Sequence, residues 1–156
     1  MTVNTLGEVQ EADGYIIELG LRKSGHPAAS LDEDEIRDKM RLGEWYVRTG
    51  DPTEEQELMG QVDEQIDHHR LPAYLILGSH PQDATDAVVI YLDEVDTAEE
   101  VWQVLEEALS VLRDLNTEDD NLDMSKFAEH LTGRNAWIAA NVGSVAIQYI
   151  TFAGLA

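Results

Sequence analysis

The strongest hydrophobic pattern in the chain lies at residues 97–115. On a helical wheel turning about 100° per residue, Val101, Trp102, Val104, Leu105, Ala108, Leu109, Val111, Leu112 and Leu115 fall in one half. Gln103, Glu106, Glu107, Ser110, Arg113 and Asp114 occupy the other half. Thr97 and Glu100 have capping-box spacing at the start of the run. The spacing predicts an amphipathic helix with one face on a sheet and one in water.

Other segments show the two-residue period of strands. In residues 14–22, Ile17, Leu19 and Leu21 alternate with Glu18, Gly20 and Arg22, which predicts a strand buried on one face and wet on the other. Residues 71–77 (Leu-Pro-Ala-Tyr-Leu-Ile-Leu) form an apolar run of strand length, as for a strand covered on both faces. Residues 87–92 form a second such run, and the two are expected to pair as a hairpin across the loop at 78–86.

Helical spacing recurs at Ile36, Met40, Gly43 and Val47, preceded by a Ser30–Glu33 capping box, and predicts a helix over about residues 31–48. Asp51 and Pro52 read as the N-cap and first position of a further helix reaching about residue 69. A short helix at 125–131, stopped by Gly133, is expected after an acidic loop at 116–123. Residues 1–13 are polar and read as frayed.

Residues 135–156 carry no charged side chain. A membrane span needs about 20 apolar residues, but Asn141, Ser144, Gln148 and Thr151 would lie in hydrocarbon. A buried helix would hold Gly143 and Ser144 at its centre. A β-hairpin is preferred, with residues 142–144 as its turn and the β-branched and aromatic run 145–152 as its second strand.

The expected order is β-α-α-β-β-α-α-β-β. It describes one α+β domain over residues 1–156, with a mixed or antiparallel sheet of about five strands and helices mainly on one face.

Charge changes the picture. Thirty-two acidic residues against ten basic ones give a formal net charge of −22. Only Lys23, Lys39 and Lys126 are lysines. This composition resembles that of the cytosolic proteins of salt-in halophiles, a compositional class and not a family. In dilute buffer such a surface repels itself; at molar salt the Debye length falls to about 3 Å and the repulsion is screened. Solvent cations are therefore expected partners. Nucleic acid and anionic membrane surfaces are not, since both are held by Lys and Arg. The absence of cysteine removes disulfides, thiolate catalysis and cysteine-ligated zinc. The first residues lack the basic and apolar regions of a secretory signal, so the expected location is cytoplasmic.

Three places carry candidate chemistry. His26-Pro27 and His80-Pro81 each leave a strand through a Ser/Gly pair, and adjacent strands would let His26 and His80 share a metal or a proton. The same residue types are ordinary turn formers. His68 and His69 are adjacent and so diverge on a helix, unlike the i, i+4 pair that binds zinc. Asp119, Asn121 and Asp123 match the first positions of a calcium loop, but Met124 stands at its glycine and His130 at its bidentate Glu. No phosphate loop, dinucleotide fingerprint or nucleophile elbow occurs. No catalytic or cofactor-binding residue is assigned. The reading is a salt-adapted, non-enzymatic binding or assembly subunit that forms homo-oligomers through its uncharged C-terminal segment, as a component of a larger particle. The alternative is a small metal-assisted enzyme using His26 and His80.

Overall fold

The computed structural model describes residues 2–3, 14–20, 27, 31–40, 44–47, 65–78, 84–118, 123–142 and 145–151. The fold is α+β. Among these residues the strands are β1 (Thr2–Val3), β2 (Gly14–Leu19), β3 (Glu44–Val47), β4 (Ala73–Leu77), β5 (Asp86–Tyr91) and β6 (Ala146–Thr151). The helices are α1 (Glu33–Lys39), α2 (Ala98–Glu118) and α3 (Met124–Val142), with a single 3-10 turn at His68–Arg70. One sheet has the order β1-β3-β2-β4-β5-β6. β2, β4, β5 and β6 are antiparallel neighbours, while β3 and β1 extend the β2 side in parallel.

The middle of the sheet follows its apolar runs. β2, β4 and β5 pair over Ile16↔Ile76, Leu75↔Val89 and their neighbours, and nearly every side chain in them is buried. On one face Ile16, Tyr46, Tyr74, Ile76, Val88 and Ile90 meet the helices. On the other, Tyr15, Ile17, Leu75, Leu77, Val89 and Tyr91 form a second cluster with Ile66 and Ala84. The expectation that β2 has a wet face is therefore wrong: Glu18, on the helix side, is only 3% exposed.

α2 lies as its pattern predicts. All nine apolar positions are buried except Trp102, which is half-buried against the same cluster. The Thr97 hydroxyl accepts from Glu100 N at 3.2 Å, and the Glu100 carboxylate accepts from Asp96 N at 3.3 Å. The helix passes close over the start of β2: a Cβ on Gly14 would stand 2.7 Å from Leu112 Cδ2. Gly20 ends β2 with φ +71°, a conformation that a Cβ disfavours.

Several expectations are corrected. The helix over 31–48 is shorter and capped by Asp32, whose carboxylate accepts from Asp34 N and Glu35 N. Its expected second half is strand β3, because Trp45-Tyr46-Val47 suits a pleated surface and the edge of β2 offers it a ladder. Thr2–Val3, expected to be frayed, pairs with β3. Of the helix expected to reach 69, residues 51–64 lie outside the described residues, and its end is the 3-10 turn.

The C-terminal half departs most. α2 runs through Glu118, beyond the expected boundary. α3 does not stop at Gly133 but continues to Val142. Met124, Phe127 and Leu131 anchor its first turns on the core at helical spacing. Among the described residues the terminal segment is therefore the end of a helix followed by one strand, not a hairpin. β6 pairs instead with β5 (Val88↔Tyr149, Ile90↔Ile147). No helix among the described residues is long and apolar enough to cross a membrane.

Candidate functional site

Among the described residues β6 ends the sheet and pairs only with β5. Its six residues, Ala-Ile-Gln-Tyr-Ile-Thr, carry no charge. Ile150 is buried, Ala146, Ile147 and Gln148 are half-buried, and Tyr149 is 42% exposed. The Tyr149 hydroxyl donates to Asp86 on β5 at 2.8 Å, and this bond raises the Tyr149 phenol above its ordinary range.

The turn before β4 reaches this edge through side-chain amides. Gln65 Nε2 donates to the Thr151 carbonyl, and Thr151 N donates to Gln65 Oε1 at 3.2 Å. Gln148 Nε2 returns to the Gln65 carbonyl at 2.6 Å. The Tyr91 hydroxyl donates to Gln148 Oε1 at 2.5 Å and accepts from Asp67 N at 2.9 Å. Arg70 lies over the Tyr91 ring, 5.5 Å from its centroid, with Nε 3.4 Å from Asp93. Burial, more than these neighbours, pushes the Tyr91 phenol up.

Thr151 thus turns its N–H and C=O away from β5. In an antiparallel ladder a residue's N–H and C=O point the same way and successive residues alternate. Tyr149 and Ile147 therefore also face outward, and no hydrogen bond to those groups joins them to another described residue. Among the described residues the edge presents two open rungs and a third closed by Gln65.

A second polar cluster is interior. Glu18, Tyr46 and Tyr74 sit side by side on β2, β3 and β4 under the helices. The Tyr46 hydroxyl donates to Glu18 and lies 3.4 Å from the Tyr74 hydroxyl, with the two rings edge to face at 6.0 Å. Burial, then Tyr74 and Glu18, hold the Tyr46 phenol well above the tyrosine range. The signal for this cluster is a glutamate between Ile17 and Leu19 in a strand, but its partners stand on other strands.

A third feature is a shallow groove of about 380 Å³ between α1 and α2, lined by Asp38, Lys39, Met40, Glu106, Leu109 and Arg113. Its charges are largely spent internally. Lys39 meets Glu106 at 2.5 Å and lies over Trp102, and Arg113 donates to the Lys39 carbonyl at 2.6 Å.

The sequence candidates fare differently. His26 and His80 lie outside the described residues, as do Asp119 and Asn121. His69 is exposed in the 3-10 turn, its N–H held by Asp67. Asp123 is the N-cap of α3: its Oδ1 takes hydrogen bonds from Ser125 N and Oγ and from Lys126 N, and the Ser125 hydroxyl above all lowers its carboxyl below the usual range. His130 is exposed on α3. Among the described residues no three His, Asp or Glu side chains are grouped to hold a metal ion. Comparison with protein-family models, with curated proteins and with solved structures finds no match for this chain.

Proposed function

We propose that this chain is a salt-adapted, non-catalytic assembly subunit of the cytosol, and that its copies join through the outer edge of β6. The observation that carries the reading is the open, uncharged edge strand in a chain of net charge −22. Unpaired N–H and C=O groups along an edge are a template for another strand, which natural folds usually block with charge or proline. Here neither is present on β6. Its interior-facing residues hold it to the sheet, which leaves the outer side for a second chain.

The test is the mass of the particle in molar KCl, by light scattering after size exclusion. The unmodified chain is expected to be an oligomer. Tyr149→Pro removes one outward N–H while sparing the ladder to β5, since proline is accepted at edge positions whose N–H faces solvent. That variant is expected to be folded and monomeric. An unmodified chain that is monomeric at all concentrations, or a Tyr149→Pro chain that keeps the parent mass, overturns the proposal.

A further inference from the structure

The edge of β6 also carries information about how a second copy can sit. Gln65 closes the Thr151 rung with both halves of its side-chain amide, which imitates a peptide unit of a neighbouring strand. Among the described residues, Ile147 and Tyr149 are left as the open rungs. We infer that Gln65 is a register stop, and that two copies pair antiparallel about a two-fold axis with Ile147 of each opposite Tyr149 of the other. The inference rests on the reading of β6 as the assembly edge.

The register follows by elimination. A two-fold axis that sets Ile147 opposite Ile147 sends Tyr149 to Val145, which is buried and precedes the β5–β6 ladder. An axis that sets Tyr149 opposite Tyr149 sends Ile147 to Thr151, whose groups Gln65 already holds. Pairing Ile147 with Tyr149 uses both open rungs of both copies and leaves a Gln65 amide at each end. The axis then passes between the two Gln148 residues, which face each other as a pair without mutual backbone hydrogen bonds.

A second copy is the occupant the observations favour. The open rungs are complementary to themselves under this symmetry. The contacting residues carry no charge, so the like-charged bodies meet where neither presents a carboxylate of its own strand. A basic partner would be drawn instead to the acidic remainder of the surface.

The chain contains no cysteine, so an introduced thiol reports alone. Directly opposed residues without mutual hydrogen bonds have Cα atoms about 4.5 Å apart, within reach of a disulfide. At molar KCl under mild oxidation, Gln148→Cys is expected to form covalent dimer readily. Ile147→Cys and Tyr149→Cys are each expected to do so poorly alone and well when mixed. Adding Gln65→Ala to Tyr149→Cys frees the third rung, and self-cross-linking is expected to rise several-fold. Because Gln148→Cys also loses its bonds to Gln65 and Tyr91, amide exchange on the unmodified chain supplies an independent readout: the Ile147 and Tyr149 amides should both slow when copies associate.

Particles that keep their oligomeric mass while Ile147→Cys or Tyr149→Cys cross-links best alone overturn the register and leave the assembly edge standing. An unchanged yield on adding Gln65→Ala overturns the stop. Oligomers in which no thiol cross-links and neither amide slows overturn the edge itself, together with the proposed function.

Discussion

At the scale of single residues, Glu18 shows where polar burial is concentrated. A buried carboxylate is tolerated when it is hydrogen-bonded, and Tyr46 supplies that bond. Tyr46→Phe keeps the ring and removes the donor. Losing one buried hydrogen bond of this kind costs about 1–3 kcal/mol, so denaturant unfolding in molar KCl should show a loss of that size. A change below the error of the measurement would mean that other partners satisfy Glu18. The residue also shows a limit of sequence reading. Glu between two apolar residues has the alternation of a half-wet strand, and only the arrival of Tyr46 and Tyr74 from β3 and β4 makes the position interior. That pairing is a property of sheet order, which no local pattern encodes.

At the scale of elements, legibility followed self-sufficiency. α2 was readable because nine apolar positions, a cap and a polar face agree within one segment. β4 and β5 were readable as short apolar runs. β3 was not, because Ile36, Met40, Gly43 and Val47 keep a helical period through a segment whose aromatic run is claimed by the neighbouring strand. Residues 135–142 misled for a related reason: apolar character marks burial, not the kind of element, and the alanine-rich run favours helix. The calcium-like spacing near Asp123 resolved into a helix cap. Asp123→Ala should cost about 0.5–2 kcal/mol at neutral pH, the usual range for a lost cap. The folded carboxyl is depressed, so its contribution is present above the unfolded Asp value of about 3.9 and is lost as pH falls through the folded one. The stability difference between parent and variant should therefore shrink below about pH 4; a difference that stays constant with acidification would refute the cap's role. In β6, Ile150 is the buried anchor. Ile150→Ala is expected to lower stability by about 2–5 kcal/mol, measured by the same unfolding.

At the scale of the whole molecule, the compact state gathers a net charge of −22 around two apolar clusters. Carboxylates held at that density repel over a Debye length of about 10 Å in 0.1 M salt and about 3 Å in 1 M. Melting temperature should climb as KCl is raised from tenths molar to molar, by roughly 2–4 °C for each kcal/mol of repulsion removed. Equal melting temperatures at both concentrations would refute salt adaptation. Few cations offset this charge, and those described act locally: Lys39 ties α1 to α2, and Arg70 braces the turn that carries Gln65.

The place of β6 has a consequence for the nascent chain. Residues 92–145, including α2 and α3, are made between β5 and the strand that covers its outer side. At roughly 5–20 residues per second their synthesis lasts several seconds. During that interval β5 presents Ala-Val-Val-Ile-Tyr, a run with high β-propensity and no charge, proline or glycine, as an uncovered edge. Asp86 before it and Asp93 and Glu94 after it are gatekeepers in position to discourage intermolecular pairing. A ribosome paused between β5 and β6 holds β5 with its outer side uncovered, and the acidic flanks discourage another chain from pairing there until β6 arrives.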